Sequence, residues 1–316
     1  MRKEKRVIGI CMGRKMGNSE ILLKHALKAV QDEDCEVEFL RLHDYYIKPC
    51  EGCELCSILG RSNQPLRCKH GWDEDDFFAI TEQIKSSEGI ILSAPAYHLM
   101  PPGISTVLLN RLHCVGINAG ASETNKKQIC ATIGVGGSDW ISLAPTILNF
   151  TATEICCSQM NLVDQMFITG VPAKSMIATR QDALDRAALL GKHVAMELGK
   201  TGRATYHGDP AEACPICHTE LLLFKKGRVK CPICDVAGDP VIQGGRISSI
   251  RWDGGIEISR WSQVGRAHHD DVMLKEVKMP KRGYEFTDEQ KAVIEKTVAE
   301  WGNFLTPIIP PERKCE

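Results

Sequence analysis

From residue 5 to about residue 200 the chain alternates, five times over, between a short apolar run and an amphipathic helical stretch. KRVIGICM, CEVEFLRL, GIILSAP, KQICATIGV and NLVDQMFITGV read as strands. SEILLKHALKAV, DEDDFFAITEQIK, GISTVLLNRLHCV, SLAPTILNFTATEICCSQM and RQDALDRAALLGKHVAMELGK read as the helices between and after them. Strands this uniformly apolar need cover on both faces. Strand–helix alternation provides it by winding helices onto either side of one sheet. The expected fold class is therefore α/β, with a doubly wound five-stranded parallel sheet.

The alternation stops near TGRATYHGDP, whose glycines and proline mark a boundary. Residues 1–203 form the expected first domain, with a cysteine-bearing insert at 48–70. Residues 204–285 hold a second cysteine group and short β-like segments, PVIQ, RISSIRW and GIEISRW. Residues 286–316 read as a last helix and tail. Thr287 and Gln290 there have capping-box spacing, and the helix is expected to end before Pro307.

A formal net charge of −1, with 43% apolar and 25% charged residues, gives no electrostatic reason to expect nucleic acid or a membrane surface as partner. No apolar run approaches the roughly 18 residues of a membrane span. The N-terminal MRKEKRVIGICMG is basic and then apolar, but its apolar part is only a strand long, so it reads as a buried first strand and not a signal peptide. The expected location is cytoplasmic.

Fifteen cysteines in such a chain point to metal or redox chemistry. Eight have ligand spacing. Cys50, Cys53 and Cys56 form C-x2-C-x2-C, with Cys68 after the gap SILGRSNQPLR. Cys214, Cys217, Cys231 and Cys234 form C-x2-C-x13-C-x2-C, with a hairpin turn expected at Lys226-Gly227. Two such knuckles suit a tetrahedral ion, zinc in a structural ribbon or iron in a rubredoxin-like carrier. His218 reads as a bystander, because four cysteines already complete the shell. The first group can wrap a [4Fe–4S] cubane; four reduced thiols or an adventitious zinc site are the plainer alternatives. Cys11, Cys35, Cys114, Cys130, Cys156, Cys157 and Cys315 read as small buried apolar residues. The basic run FKKGRVK reads as a solvated hairpin tip, and His268, His269 and Asp270 as a surface turn.

In an open parallel sheet, ligands bind beyond the carboxyl ends of the strands. Three loops there carry suitable chemistry. MGRKMGNSE, after strand one, offers glycines and a helix N-terminus for a phosphate. SAPAYHLMPPG, after strand three, offers proline-fixed backbone with Tyr97 and His98 as a wall for a planar ring. GVGGSDW, after strand four, lets backbone amides approach a ligand.

GRKMGNSEILL resembles the phosphate loop of the NADPH-dependent FMN reductase branch of flavodoxin-like proteins. SAPAYHLMPPGISTVLLNRL is similar to that family's second flavin loop and following helix, and GVGG to its third. The cysteines between strand two and helix two resemble those of the iron–sulfur flavoproteins. The resemblance covers roughly residues 5–200. It implies that Arg14, Gly17, Asn18 and Ser19 hold the FMN phosphate, and that Pro95, Ala96, Tyr97, His98, Gly136, Gly137 and Ser138 surround the isoalloxazine. Where the family usually has Gly-Ser-Pro before the arginine, this chain has Cys11, Met12 and Gly13. That loses a serine hydroxyl, costing about 1.5–3 kcal/mol of phosphate binding unless replaced.

The function expected is an FMN-dependent oxidoreductase, passing electrons between FMN, a [4Fe–4S] cluster and an external donor or acceptor such as NAD(P)H, ferredoxin or a small substrate. The alternative is a non-catalytic flavodoxin-fold protein whose ribbon recognises a partner or nucleic acid. A third reading has FMN acting on an organic substrate, with Tyr97, His98 and Trp140 as the candidates near the flavin. No G-x-G-x-x-G follows the first strand, so no dedicated dinucleotide site is visible. The resemblance also implies a homo-oligomer.

Overall fold

The computed structural model describes residues 5–62, 64–115, 128–155, 161–208, 213–272 and 286–302. Cys156, Cys157, Cys315, Pro307 and the tail lie outside them. Five parallel strands are ordered β2-β1-β3-β4-β5: β1 (Arg6–Cys11), β2 (Glu36–Arg41), β3 (Gly89–Pro95), β4 (Ile129–Val135) and β5 (Leu162–Ile168). Each is one of the five apolar runs. β3 and β4 are buried almost end to end, because helices cover both faces. This is the doubly wound sheet that the alternation predicts, and its strand order is the flavodoxin-like one that the resemblance implies.

α1 (Asn18–Gln31) and α6 (Gln181–Glu197) cover one face, with Leu22, Leu23, Leu190 and Val194 against Val7, Ile91 and Ile133. Where they meet, a β-carbon at Gly191 would lie 2.1 Å from the Ala26 carbonyl oxygen, so only glycine permits this helix contact. α3 (Phe77–Ser86), α4 (Gly103–Arg111) and α5 (Ala144–Ile155) cover the other face, where Phe77, Ile80, Leu108 and Leu148 pack on Ile8, Ile90 and Leu92. The cysteine insert contains a short helix, α2 (Leu55–Arg61), which no apolar periodicity announces.

After α6 the chain returns along β5, where His207 N–H bonds the Val163 carbonyl at 2.7 Å. It then enters a four-stranded antiparallel sheet: β6 (Leu223–Lys225), β7 (Arg228–Lys230), β8 (Ala237–Gln243) and β9 (Arg246–Trp252). Lys226 and Gly227, with φ of 51° and 77°, make the tight turn between β6 and β7. PVIQ lies in β8 and RISSIRW is β9, but GIEISRW is not a strand. It folds into a 3₁₀ turn at Ile256–Ile258 because the Glu257 carboxylate accepts Gly255 N–H (2.7 Å) and Ser259 Oγ donates to the Ile256 carbonyl (2.7 Å). Local side-chain bonds here outcompete the ladder.

His268 and His269 lie on the exposed helix α7 (Gln263–Asp271), not in a surface turn. Its N-cap Ser262 supplies the starting signal by accepting Gly265 N–H at 2.9 Å. α8 (Asp288–Gly302) opens with the expected capping box: Thr287 N–H bonds Gln290 Oε1 (2.9 Å) and Gln290 N–H bonds Thr287 Oγ1 (3.2 Å). Among the described residues no helix is long and apolar enough to cross a membrane.

Candidate flavin and metal sites

The carboxyl ends of β1, β3 and β4 are neighbours, so the loops leaving them meet. Met12 N–H bonds the Ser93 carbonyl (2.8 Å), Ala96 N–H the Val135 carbonyl (2.7 Å) and Gly136 N–H the Ile168 carbonyl (2.8 Å). Each loop is thereby tied to the adjoining strand end.

In the first loop, Gly17 N–H closes on the Arg14 carbonyl (2.9 Å), and the first helical bond of α1 runs from Ile21 N–H to the Gly17 carbonyl (3.1 Å). The amides of Asn18, Ser19 and Glu20 precede that bond and, with the helix dipole, favour an anion at the loop. Arg14 and Lys15 are exposed beside it. The Asn18 side chain is spent on bracing: Nδ2 donates to the carbonyls of Val171 (2.8 Å) and Ala173 (2.9 Å), and Oδ1 accepts Ile177 N–H (3.1 Å). Its backbone amide is what remains for a phosphate. A β-carbon at Gly13 would sit 3.2 Å from Ser19 Oγ and 3.4 Å from Pro95 Cδ, so the loop packs tightly on the start of α1 and on the second loop.

Glu20 stabilises this loop from beneath. It is fully buried and accepts Arg41 Nε (2.8 Å), Lys24 Nζ (2.7 Å) and Met16 N–H (3.1 Å). Burial would raise its carboxyl, but the hydrogen bonds from Arg41, Lys24 and Met16 outweigh burial and hold it at about 2. A depressed carboxyl contributes stability that is complete above its ordinary value of 4.5 and is lost as pH falls toward 2. Glu20→Gln is therefore expected to lower the melting temperature at pH 7, with the gap to the parent protein narrowing below about pH 4.5. Melting curves of both proteins from pH 7 to pH 3 check this; a gap independent of pH would contradict the assignment.

In the second loop Tyr97 and Met100 pair through both backbone bonds (2.7 and 3.0 Å) around His98 and Leu99, whose φ values are 47° and 72°. Two non-glycine residues held left-handed in sequence are strained, and such strain concentrates where a loop presents itself to a ligand. In the third loop a β-carbon at Gly136 would meet Ile141 Cγ2 at 2.2 Å, so glycine allows the close turn into α5. Gly137, Ser138 and Trp140 are exposed, and Ser138 Oγ accepts Trp140 N–H (3.3 Å). Met16 in the first loop, Tyr97 and Met100 in the second and Trp140 in the third each expose a large apolar side chain, Trp140 being 73% exposed. An anion-favouring helix start, with exposed aromatic and sulfur side chains on the adjoining loops, is chemistry suited to the phosphate and ring of FMN.

The ribbon brings its four cysteines together. The sulfurs of Cys214, Cys217, Cys231 and Cys234 all lie within 4.8 Å of one another and are buried. The two CPIC knuckles are conformational copies: His218 and Asp235, each following its second cysteine, are both left-handed, with φ of 55° and 66°. Sulfurs this close cannot all carry charge together without a cation, so hydrogen bonding among them pulls Cys231 down while Cys217 and Cys234 are pushed up. His218 is no ligand: its ring stacks on Tyr206 at 3.5 Å, and burial pushes its pKa down to about 3.

The first knuckle is bolted to the α/β domain. Thr219 Oγ1 meets Thr146 Oγ1 (2.5 Å), the His218 carbonyl accepts Gln165 Nε2 (2.9 Å) and the Ile216 carbonyl accepts Arg203 (3.0 Å). Gln165 is fixed in turn by Asn149 (2.6 Å) and Tyr206 (2.7 Å). These contacts hold α5, the helix that follows the third flavin loop.

The first cysteine group is arranged differently. Cys50 and Cys53 are exposed, while Cys56 on α2 and Cys68 are half-buried. Among the described residues these four do not close to the spacing of the ribbon quartet. Ahead of the insert, in the turn after β2, a His43 ring nitrogen lies 3.1 Å from the Met12 carbonyl oxygen.

Residues 6–147 match the model of the NADPH-dependent FMN reductase family. The matched stretch contains all three loops, and in this region the chain is similar to the FMN-dependent oxidoreductases of that family. A flavone synthase of Aspergillus candidus is 28% identical over 261 residues, covering 74% of this chain and 77% of that relative. An iron–sulfur flavoprotein of Methanocaldococcus jannaschii is 37% identical over 93 residues, 29% of this chain and 44% of its own length. Among solved structures, a flavone reductase superposes with a TM-score of 0.71 at 20% identity, over 97% of this chain and all of that one. That likeness extends the shared fold through the ribbon.

Sequence reasoning missed Glu20, Asn149, Gln165 and Arg111. Only Glu20 left a trace, as an acidic residue in the first turn of a helix that follows a basic loop. The others act across the sheet, and no local pattern marks them.

Proposed function

We propose that the chain is an FMN-dependent oxidoreductase that takes reducing equivalents from an external donor such as NAD(P)H and passes them on through FMN and an iron–sulfur cluster at Cys50, Cys53, Cys56 and Cys68. The convergence of the three loops on one anion cradle with an uncovered aromatic rim carries this reading. FMN, once bound, accepts hydride and releases electrons singly, which suits a one-electron partner. Backbone amides at the start of α1, with Arg14 and the Ser19 hydroxyl, hold the phosphate. Tyr97, Trp140 and the backbone of Pro95, Ala96, Gly136, Gly137 and Ser138 flank the ring, and His98 faces the opening. His43, in the turn that leads into the insert, touches Met12 at the first loop, and this approach favours electron exchange between the two centres. Zinc is the favoured ion in the ribbon, since its apolar hairpin serves as a structural buttress, and a homo-oligomer follows the family's habit.

A second reading is favoured by one observation. The likeness to the flavone synthase and flavone reductase covers most of the chain, ribbon included, which the cluster alone would not require. On that reading a planar aromatic substrate stacks over the flavin beneath Trp140, and the ribbon fixes α5 below it.

An absorption spectrum of anaerobically purified protein, before and after NADPH or dithionite, tests both. Flavin bands with a broad bleachable shoulder support the cluster reading; flavin bands reoxidised by a flavone, without the shoulder, support the second. A colourless protein that refuses FMN overturns both. Arg14→Ala is expected to weaken FMN binding about tenfold or more, the worth of a charge-assisted hydrogen bond, as read by quenching of flavin fluorescence. Unchanged affinity would remove Arg14 from the site.

A further inference from the structure

The segment between β5 and α6, residues 169–180, stands against two of the three flavin loops. It meets the third loop first: Val171 N–H bonds the Gly136 carbonyl (3.4 Å), and a β-carbon at Gly137 would lie 3.3 Å from Pro172 Cα. It then crosses to the first loop. The Val171 and Ala173 carbonyls accept Asn18 Nδ2 (2.8 and 2.9 Å), and Ile177 N–H bonds Asn18 Oδ1 (3.1 Å). Ser175 Oγ donates to the Met16 carbonyl at 2.7 Å. Ser175 and Met16 are both left-handed, with φ of 63° and 51°. Non-glycine residues stay in that region only where their surroundings over-determine them.

Lys174 lies between Ala173 and Ser175, so its backbone is pinned to the first loop on both sides. The start of α1 is then within the span of a lysine's four-carbon stem. The charge at this junction is one-sided. Arg14, Lys15 and Lys174 are exposed, and among the described residues none of the three has a carboxylate partner. Glu20 does not offset them, because it is buried and matched by Arg41 and Lys24. On α6, Asp182 is taken by Arg180 (2.7 Å). Unpaired cations beside the open amides of a helix start favour a ligand with more than one negative charge, and a phosphate monoester is such a ligand. A lysine on an ordinary surface turn says little. This turn is bolted to the anion loop, so the charge is in place before a ligand arrives.

We propose that the β5–α6 segment is a fourth wall of the flavin site, and that Lys174 pairs with the FMN phosphate alongside Arg14. The assignment rests on the FMN reading and adds to it a residue beyond the family match, which ends at residue 147. Asn18 and Ser175 are then positioning residues that hold the lysine's turn on the phosphate loop.

The test is flavin binding to the full chain freed of flavin, read by quenching of flavin fluorescence with FMN and with riboflavin, which lacks the phosphate. Lys174→Gln is expected to weaken FMN binding about tenfold, the worth of a charge-assisted hydrogen bond, and Lys174→Glu to weaken it further. Riboflavin should bind both variants as it binds the parent, and the melting temperature of the flavin-free protein should not move. Added salt should weaken FMN binding to the parent more steeply than to Lys174→Gln. Lys192→Gln, which removes an exposed lysine far along α6, should change nothing. Equal losses for FMN and riboflavin would mean that the segment only supports the fold, and unchanged FMN affinity would release Lys174 from the phosphate; either result overturns the assignment. So does a fall in the rate with NADPH relative to NADH at saturating FMN and unchanged FMN affinity, which would place the lysine on the donor's ribose phosphate. A parent protein that binds neither flavin overturns the FMN reading itself, and this assignment with it.

Discussion

Replacement of Cys231 by serine is expected to strip the ribbon of its metal and open residues 213–261 to proteolysis, while the five-stranded sheet keeps its fold. Around the four sulfurs the ribbon has only a small apolar set, chiefly Ile216, Ile233 and Val236, with Leu222, Trp252 and Trp261 at its edge. Modules of this size do not hold together on packing alone, and binding of structural zinc is worth about 10–16 kcal/mol in isolated fingers. Cys231 is the most informative position because it accepts both the Cys234 amide (3.3 Å) and contact from Cys217 Sγ (3.6 Å).

The consequence should reach the flavin. With the knuckle gone, Thr146, Asn149 and Gln165 lose partners in the ribbon, and α5 loses its support behind the Gly136–Trp140 loop. The variant should contain about one metal ion fewer per chain by elemental analysis. Fluorescence of Trp252 and Trp261 should shift red, and FMN should dissociate faster. A variant with parent-like proteolysis and metal content would show that the sulfurs are held as plain thiols.

The second large effect is expected at Arg111. Its ion pair with Asp75 is almost wholly out of water, the two side chains being 1% and 0% exposed. Removing one member of such a pair leaves the other charge buried and costs about 3–5 kcal/mol. For a domain of this size that corresponds to a fall in melting temperature of roughly 6–20 °C, so Arg111→Met should be visibly unstable.

The pH dependence identifies the cause. Burial would raise the Asp75 carboxyl, but the Lys48 amide and Arg111 outweigh it and hold it below its ordinary value of 3.8. Its contribution is therefore present above about pH 3.8 and lost as pH falls further. In Arg111→Met the carboxyl loses its cation and moves upward, so the penalty should shrink as the solution is acidified and Asp75 takes a proton. Melts of both proteins from pH 7 to pH 4 decide it; a constant difference would mean that lost packing on Phe77, not lost charge, is what Arg111 supplies.

Much of this architecture was legible in the chain. Apolar runs alternating with amphipathic stretches could satisfy their burial only as a two-sided parallel sheet, and all five runs became strands. CPIC twice over, with a Lys-Gly turn between, could be read because a knuckle is local: ligand spacing, turn and left-handed residue lie within a few positions of each other. Thr287 and Gln290 made their capping box for the same reason.

What the chain did not disclose lies across elements. GIEISRW has strand-like alternation and follows an edge strand, β9, yet Glu257 and Ser259 bond locally and turn it. Asn18 looked like a phosphate ligand, yet its side chain ties two loops together, a role set by Val171, Ala173 and Ile177 far along the sequence. Glu20 and Arg41 meet because β2 runs beside β1. Periodicity and spacing record each segment's own needs, so the sequence by itself determined the elements, the sheet and the metal ribbon. Which charges and thiols face one another depends on strand order and helix packing, where a contact between distant positions leaves no local mark, and that only the tertiary structure decided.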